Sequence, residues 1–590
     1  MTINLKKIKV NAMKIFRLII VNAIVLFTVR SIAQQPVSDP VKLSEQKREF
    51  VINSKYLNIP IQNGATKRKV TVIVGETIAV KLDIELATTK TDWWAPMDVS
   101  AWKGKKVVLQ VDKLPDNSSV LNNIEPSDEI KAVKNLYHET LRPQLHFSPM
   151  RGWNNDPNGL VFYNGEYHMF FQHNPFGWDW GNMHWGHATS RDLVHWKEHG
   201  DVLLPDELGA MFSGSAVVDR NNMSGFGKDG KKPLVLTYTA AGDLTTQCIA
   251  YSNDGRTFTK YNGNPVLKQI TGGNRDPKVF WYEPKKKWVL VLYVGLKGKE
   301  NEKDENGKSK TRHASYFFNS ENLRDWKLTS ITEGGITPND NYLYECPDFF
   351  ELPFGNKKLW VLSAANTEYT LGSFNGEKYT PEVSKMKGNL RRGFYAAQTF
   401  SNEPSGRIIQ IGWLQAPTPG MPFNQSMSLP HELKLRNTKD GPKLVYIPVK
   451  ELESLRKTSF LKKVFTINAG EKNPLEMAKG EILELRADFI PGNNTETNFS
   501  LRGVDISYDA AKQELLVDNM KVPAPLVDGH QKLIIYADRT SLEIFASDGL
   551  VYVPMPIILK AENRTINVSV KGGSVKFNKL EFYELNSIWK

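Results

Sequence analysis

Hydrophobic and polar residues alternate in short runs along most of this 590-residue chain, the period-2 pattern of half-buried strands. Between residues 50 and 111 such runs, Lys-Val-Thr-Val-Ile-Val at 69–74 and Lys-Val-Val-Leu-Gln-Val at 106–111 among them, are rich in β-branched residues and bounded by turn formers. They predict a small N-terminal β-domain over 40–135. Residues 115–127 have the polar, Asn/Ser-rich texture of a linker, and 128–136 carry a brief helical periodicity. From 138 to 435 aromatic and β-branched runs alternate with Gly, Asn, Asp and Pro, with hardly any sustained period of 3.6. Beyond 435 strands are expected at 482–490, 499–506, 532–536, 541–546, 566–570 and 575–582, a C-terminal β-sandwich over 446–590.

A weak repeat runs through the middle region. Ser190-Arg191-Asp192 leads to Trp196, Ser252-Asn253-Asp254 to Phe258, Ser320-Glu321-Asn322 to Trp326, and Ser373-Phe374-Asn375-Gly376 to Tyr379, the serines lying 62, 68 and 53 residues apart. Any β-rich protein can produce such turns, but a polar turn ending on an aromatic at this interval suits the four-stranded blades of a β-propeller. At about 60 residues per blade, 138–440 would hold five. The fold class expected is therefore all-β: a propeller between a small N-terminal β-domain and a sandwich.

The first 33 residues hold six Lys or Arg and no acid, an apolar run at 18–29, then Ser31-Ile32-Ala33. This is the pattern of a secretory signal peptide, and the run falls short of the about 20 residues that span a bilayer. A retained anchor is the competing reading, and Met13 an alternative start. Removing the leader takes the formal charge from +12 to +6, leaving an exported, periplasmic or extracellular protein with no membrane association. Its remaining Lys and Arg are interspersed with acids, as at 297–312, which is no nucleic-acid footprint. Cys248 and Cys346 have no metal-site spacing, and Cys346 reads as a small buried packing residue. His184 and His187 lack a matched third ligand, and no Gly-rich phosphate loop opens a helix. Neither a metal nor another cofactor is expected.

Three acidic motifs carry the chemistry: Trp153-Asn154-Asn155-Asp156-Pro157-Asn158-Gly159, Arg275-Asp276-Pro277 and Glu345-Cys346-Pro347-Asp348. Each sets a carboxylate beside a proline or turn residue. Glycosidic cleavage requires one carboxylate at the developing cation and a second carboxylic acid to protonate the leaving oxygen. Asp-Pro-Asn-Gly alone is an ordinary turn; here Trp153, Asn155, Gln172, Trp180 and Trp185 surround it, and aromatics with amides suit sugar faces and hydroxyls. The three acids lie 120 and 69 residues apart, about two blades and one, so the inner strands of a propeller could bring them together.

With these motifs the chain resembles glycoside hydrolase family 32, the β-fructosidases that include invertases, inulinases and levanases. The likeness extends through His146-Phe147-Ser148-Pro149, Gln172-His173-Asn174-Pro175, Trp180-Gly181-Asn182, Trp185-Gly186-His187, Phe212-Ser213-Gly214-Ser215, Phe394-Tyr395-Ala396-Ala397-Gln398, Ile411-Gly412-Trp413 and Met427-Ser428-Leu429-Pro430, with a C-terminal echo at 533–549. Asn154 departs from the pattern, which usually has methionine there, and is expected to affect packing more than chemistry. Residues 40–135 lie outside the core pattern and resemble an extra domain of bacterial fructan-degrading enzymes.

The resemblance implies a retaining double displacement, with Asp156 as nucleophile, Glu345 as acid and then base, and Asp276 stabilising the transition state beside Arg275. Trp153, Asn155, Gln172, Trp180, Phe212, Ser213, Arg275 and Trp413 would bind the terminal fructose, although Phe212 and Trp413 read equally as core. The implied partner is a fructan or fructo-oligosaccharide, levan or inulin, with sucrose as a minor substrate and exo action favoured. Endo-levanase, fructosyltransferase, a non-catalytic fructan-binding protein and an arabinanase-type propeller are the competing readings. The sequence carries no signal for an oligomeric state.

Overall fold

The computed structural model describes residues 42–589 except 135, 299–310, 334–342 and 391–392; the leader pattern at 1–33 lies outside the described residues. The alternating N-terminal runs form two facing sheets. One is ordered Leu43–Val51, Lys106–Pro115, Arg68–Val74, Thr77–Ile84, and the other Trp93–Asp98, Tyr56–Ile61, Glu125–Ser127. Their inward residues, Leu57, Ile59, Val72, Ile84, Val107 and Leu109 among them, make a separate core. Where a helix is expected at 128–136, the described residues 128–134 and 136 form bends and turns. Its polar groups are satisfied by the domain it leaves: Asp128 accepts from Lys55 N, Asn58 Nδ2 donates to Glu129 O, and Lys131 N donates to Asn58 Oδ1. These partners replace the local ladder a helix would need.

Five antiparallel sheets follow in chain order, and each begins with its innermost strand: β1 (Gly152–Tyr163), β2 (Ala210–Val218), β3 (Asn274–Tyr282), β4 (Asp348–Phe354) and β5 (Phe394–Thr399). β1 packs on β2, β2 on β3, β4 on β5 and β5 on β1. Between β3 and β4 stand the buried Lys278–Asp348 pair at 2.6 Å and the Phe280–Phe349 ring contact. The ring is therefore closed, as in a propeller. It is also stitched: Phe423–Asn424 pairs in parallel with Gly152–Trp153 at the inner edge of the first sheet.

The serine repeat has one physical origin. In each copy a side chain two residues after the serine caps the turn before the outermost strand. Asp192 accepts from Val194 and His195 N, Asp254 from Arg256 and Thr257 N, Asn322 from Arg324 and Asp325 N, and Asn375 from Glu377 and Lys378 N. The residue three after the serine is left-handed every time, with φ of +65° at Leu193, +71° at Gly255, +62° at Leu323 and +93° at Gly376. The repeat thus encodes a backbone shape that two glycines adopt freely and two leucines adopt because the turn holds them there.

The C-terminal domain stacks a six-stranded on a five-stranded sheet around one core. Residues 499–506, expected as one strand, belong to the hairpin Glu496–Leu501 and Val504–Asp509, which turns through Arg502 and Gly503 at φ of +52° and +85°. At the seam with the propeller, His146 is buried between two sandwich acids, Asp538 (2.7 Å from Nδ1) and Glu543 (2.9 Å from Nε2). Asp538 also accepts from the backbone N–H groups of Gln144 and Leu145, and Glu543 from Leu429 N and the Tyr552 hydroxyl.

Burial opposes a charged ring at His146, but the two carboxylates overcome it and raise its pKa to about 9. Because the folded pKa lies above the unfolded one, this contribution is fully present below about pH 6.5 and is lost as pH rises through 9; the shift is worth about 3 kcal/mol. Thermal melts should therefore show His146→Ala strongly destabilised at about pH 6, with the gap to wild type shrinking as pH rises from about 6.5 to 9. A gap that does not change with pH would show that the ring is neutral.

Candidate active site

The inner strands are irregular at the positions of the sequence motifs. Pairing registers shift between Asn154 and Pro157 and again between Asn158 and Val161 on β1, between Phe212 and Gly214 on β2, between Arg275 and Lys278 on β3, and between Tyr395 and Gln398 on β5. Such bulges re-aim side chains that a regular pleat would send to alternating faces. Asp276 adopts φ of +62°, and Glu345 and Cys346, just ahead of β4, adopt +37° and +44°. Left-handed backbone at these three positions is strained for non-glycine residues, and hydrogen bonds hold them. Asp276 N donates to Thr239 Oγ1 (3.0 Å), Cys346 N to Asp276 Oδ2 (3.0 Å), and Ala365 N to Glu345 O (3.0 Å).

These distortions bring the three acids into one connected group. Asp156 accepts from Ser213 Oγ (2.6 Å) and Asn155 Nδ2 (3.1 Å), and the Cys346 thiol lies 3.7 Å from Asp156 Oδ2 and 3.4 Å from Asp276 Oδ2. Arg275 Nε lies 3.7 Å from Asp276 Oδ2 and donates to Glu345 Oε2 (3.0 Å), while the Tyr395 hydroxyl donates to Glu345 Oε1 (2.6 Å). Cys346 is therefore more than the packing residue expected: buried, it stands between two catalytic candidates. Its thiol is held protonated, pushed well up by burial and by the surrounding carboxylates.

Burial dominates the electrostatics. It raises the pKa of Asp156, with the Ser213 and Asn155 hydrogen bonds pulling back and the charge of Glu345 adding to the rise. It raises Asp276 to about 7, against the opposing pull of Arg275 and with reinforcement from Glu345 and Asp156. Clustered carboxylates in a dry site resist simultaneous ionisation, so the group retains a proton near neutrality.

The other expected site residues gather around this group. Trp153 Nε1 donates to Asn155 Oδ1 (3.0 Å), and Trp153 stands edge-on to Trp413, which meets Tyr395. Gln172 is buried and donates to Met211 O; with its amide turned to satisfy both ends, Asn158 accepts from Gln172 and donates to Ser213 Oγ. Trp180 is half-exposed, edge-on to Phe212 at 6.1 Å. Phe212 and Trp413 are half-buried and, among the described residues, lie outside the apolar cores. Asn154, turned likewise, donates to the carbonyls of Asn424 and Gln425. The departure from methionine thus serves the stitch between the ring's two ends.

Sequence reasoning missed Tyr395, although it lies within a quoted motif, and also Tyr293, His313 and Tyr344. The Arg275 guanidinium sits 4.7 Å from the centre of the Tyr293 ring, whose hydroxyl meets His313 Nδ1 at 2.8 Å, and Tyr344 flanks the same guanidinium. Tyr293 is the cross-strand partner of Arg275, a relation that only the pairing register reveals. Among the described residues no cluster of three His, Cys, Asp or Glu has metal-holding geometry, and no helix is long and apolar enough to cross a membrane.

Comparison with known proteins agrees with this geometry. Residues 146–448 match the family model "Glycosyl hydrolases family 32 N-terminal domain", 451–584 match "Glycosyl hydrolases family 32 C terminal", and 48–140 match a domain of unknown function, DUF4980. A levanase of Bacillus subtilis is 38% identical over 507 residues, covering 78% of this chain and 72% of the relative. An extracellular exo-inulinase of Aspergillus awamori is 31% identical over 535 residues, covering 77% and 96%. The crystal structure of exo-inulinase from Aspergillus awamori superimposes with a TM-score of 0.66 at 30% identity, over 77% of this chain and all of that one (100%). The β-fructofuranosidase of Schwanniomyces occidentalis complexed with fructosyl-erythritol gives 0.63 at 28% identity, over 76% and 98%.

The shared proton is directly observable. Infrared difference spectra of wild type against Asp276→Asn should contain a protonated-carboxyl band at pH 6 that fades as pH rises through about 7. No such band at pH 6 would mean that Asp276 is ionised there.

Proposed function

We propose, on the premise that the chain belongs to glycosyl hydrolase family 32, that it is an exported enzyme removing terminal fructose from fructans with retention of configuration. It is a glycosidase acting on fructosyl linkages. The observation that carries the finer reading is the connected group of Ser213, Asp156, Cys346, Asp276, Arg275, Glu345 and Tyr395.

In this reading an Asp156 oxygen attacks the anomeric carbon of a β-fructofuranosyl unit, the carbon–oxygen bond to the rest of the chain breaks, and the departing oxygen takes, through Glu345, the proton that the carboxylate group shares, which leaves Asp276 ionised. Water then attacks the same carbon. Its proton passes to Glu345, and the ester to Asp156 is released. Ser213 and Asn155 orient the nucleophile and spread its charge. Asp276, fixed by Cys346 N and Thr239, binds sugar hydroxyls and offsets the developing positive charge. Arg275 and Tyr395 hold both oxygens of Glu345, so the acid is aimed before substrate arrives. Trp153, Gln172, Phe212 and Trp413 line the fructose pocket, and Trp180 stands edge-on to Phe212 at its rim.

The domain assignment that goes with this reading is a leader at 1–33, an N-terminal β-domain at 40–135, a catalytic propeller at 138–440 and a sandwich at 446–590. Export is supported by the leader pattern and by the extracellular location of exo-inulinase relatives. Exo action is supported by the same relatives, and levan and inulin are the polymers to compare, with sucrose as a lesser substrate.

Timed product analysis on levan, inulin and sucrose tests the mode. Free fructose from the first time point is expected, and early oligosaccharides would replace the exo reading with an endo one. Glu345→Gln should lower turnover by about 10²–10⁴-fold. With methanol as co-solvent the trapped product should be methyl β-fructofuranoside; the α-anomer would rule out retention.

A further inference from the structure

The loop between the two middle strands of the first propeller sheet, Glu166–Asn174 and His184–Ser190, is held from outside the propeller. Phe176 leaves it and packs in the core of the N-terminal domain. Glu85 of that domain, wholly buried, accepts from Asp179 N (3.0 Å) with Oε1, and from Trp178 N and Gly64 N (both 3.1 Å) with Oε2. Asn182 and the backbone of Asp83 exchange a reciprocal pair of 2.7 Å hydrogen bonds, and Lys67 Nζ donates to Trp180 O. A side chain at Gly177 would lie 2.9 Å from Glu85 Oε1, so the loop approaches the carboxylate as closely as a glycine permits.

These ties converge on Trp180, the loop's half-exposed aromatic, whose edge meets Phe212 one residue before the serine that binds Asp156. A buried carboxylate is costly to desolvate unless backbone N–H groups surround it. Two of its three donors, Trp178 N and Asp179 N, belong to the loop, and these directed bonds favour one loop conformation.

We propose that the N-terminal domain is a positioning part of the substrate pocket: Glu85 locks the loop so that Trp180 stands at the rim as a stacking platform for the sugar unit on the leaving-group side of the cleaved bond. Glu85 is a positioning residue and touches no substrate. The proposal rests on the fructoside-hydrolase reading above and adds to it the part of the substrate that lies beyond the terminal fructose.

Glu85→Gln keeps the size of the side chain but presents an NH2 group to backbone donors, and so releases the loop. Steady-state kinetics of the full chain on a fructosyl trisaccharide should show KM raised about tenfold and kcat changed less than about threefold, the signature of lost binding rather than lost chemistry. Inhibition by free fructose, which reports the terminal pocket alone, should be unchanged. Trp180→Ala should reproduce the KM effect, and the double variant should be no worse than either single one, because both remove the same contact.

Additive effects, or a fall in kcat at constant KM, would overturn the proposal. If Glu85→Gln does not fold, as judged by its thermal melt, Asn182→Ala cuts a second of the loop's ties and is expected to show the same split. Wild type inactive on every fructoside would instead refute the fructoside reading itself, and so the two failures are distinct.

Discussion

Three carboxylates gathered in a desolvated pocket repel one another, and the rest of the site is arranged around that repulsion. Each acid has its own donors: Ser213 and Asn155 for Asp156, Cys346 N for Asp276, and Arg275 and Tyr395 for Glu345. Single donors on flexible loops would let the acids move apart into solvent. The donors therefore come from four inner strands and the segment leading into β4, whose bulges and left-handed residues are held by the closed ring. Backbone strain at Asp276, Glu345 and Cys346 persists because the ring over-determines it.

The same principle appears at the seams between domains. The propeller meets the sandwich through the doubly paired His146 and meets the N-terminal domain through Glu85. Both are buried ionisable groups that leave no satisfactory arrangement except one. Apolar surfaces alone would tolerate sliding; a buried carboxylate ringed by particular N–H groups does not. The His146-Phe147-Ser148-Pro149 signature, which opens the family pattern, is in structural terms an interdomain fastening.

Much of this was legible from residue order because it depends on local chemistry. Strand alternation located the sheets, and the serine repeat marked a turn whose capping bonds lie within a few residues of each other. Asp156, Asp276 and Glu345 were conspicuous through their turn-forming neighbours. What escaped depends on register or on long-range partners. Tyr293 reaches Arg275 only through cross-strand pairing. Residues 499–506 held two strands because Arg502 adopts the left-handed conformation beside Gly503. Residues 128–136 showed a helical periodicity, but the Lys55 backbone and the Asn58 side chain, about 70 positions upstream, took up their polar groups. Cys346 looked like packing because its neighbouring carboxylates come from strands far away in sequence.

The stitch between Phe423–Asn424 and Gly152–Trp153 orders events in time. A growing chain that has emitted the strand bearing Asp156 must emit about 270 further residues before the partner that completes the inner edge of its sheet exists, a delay on the order of tens of seconds at common synthesis rates. The acids that join Asp156 in the pocket are emitted earlier, 120 and 189 residues after it, so all three carboxylates exist before the pairing that completes the first sheet. A product truncated before residue 423 therefore carries the acidic motifs without the strand that completes that sheet.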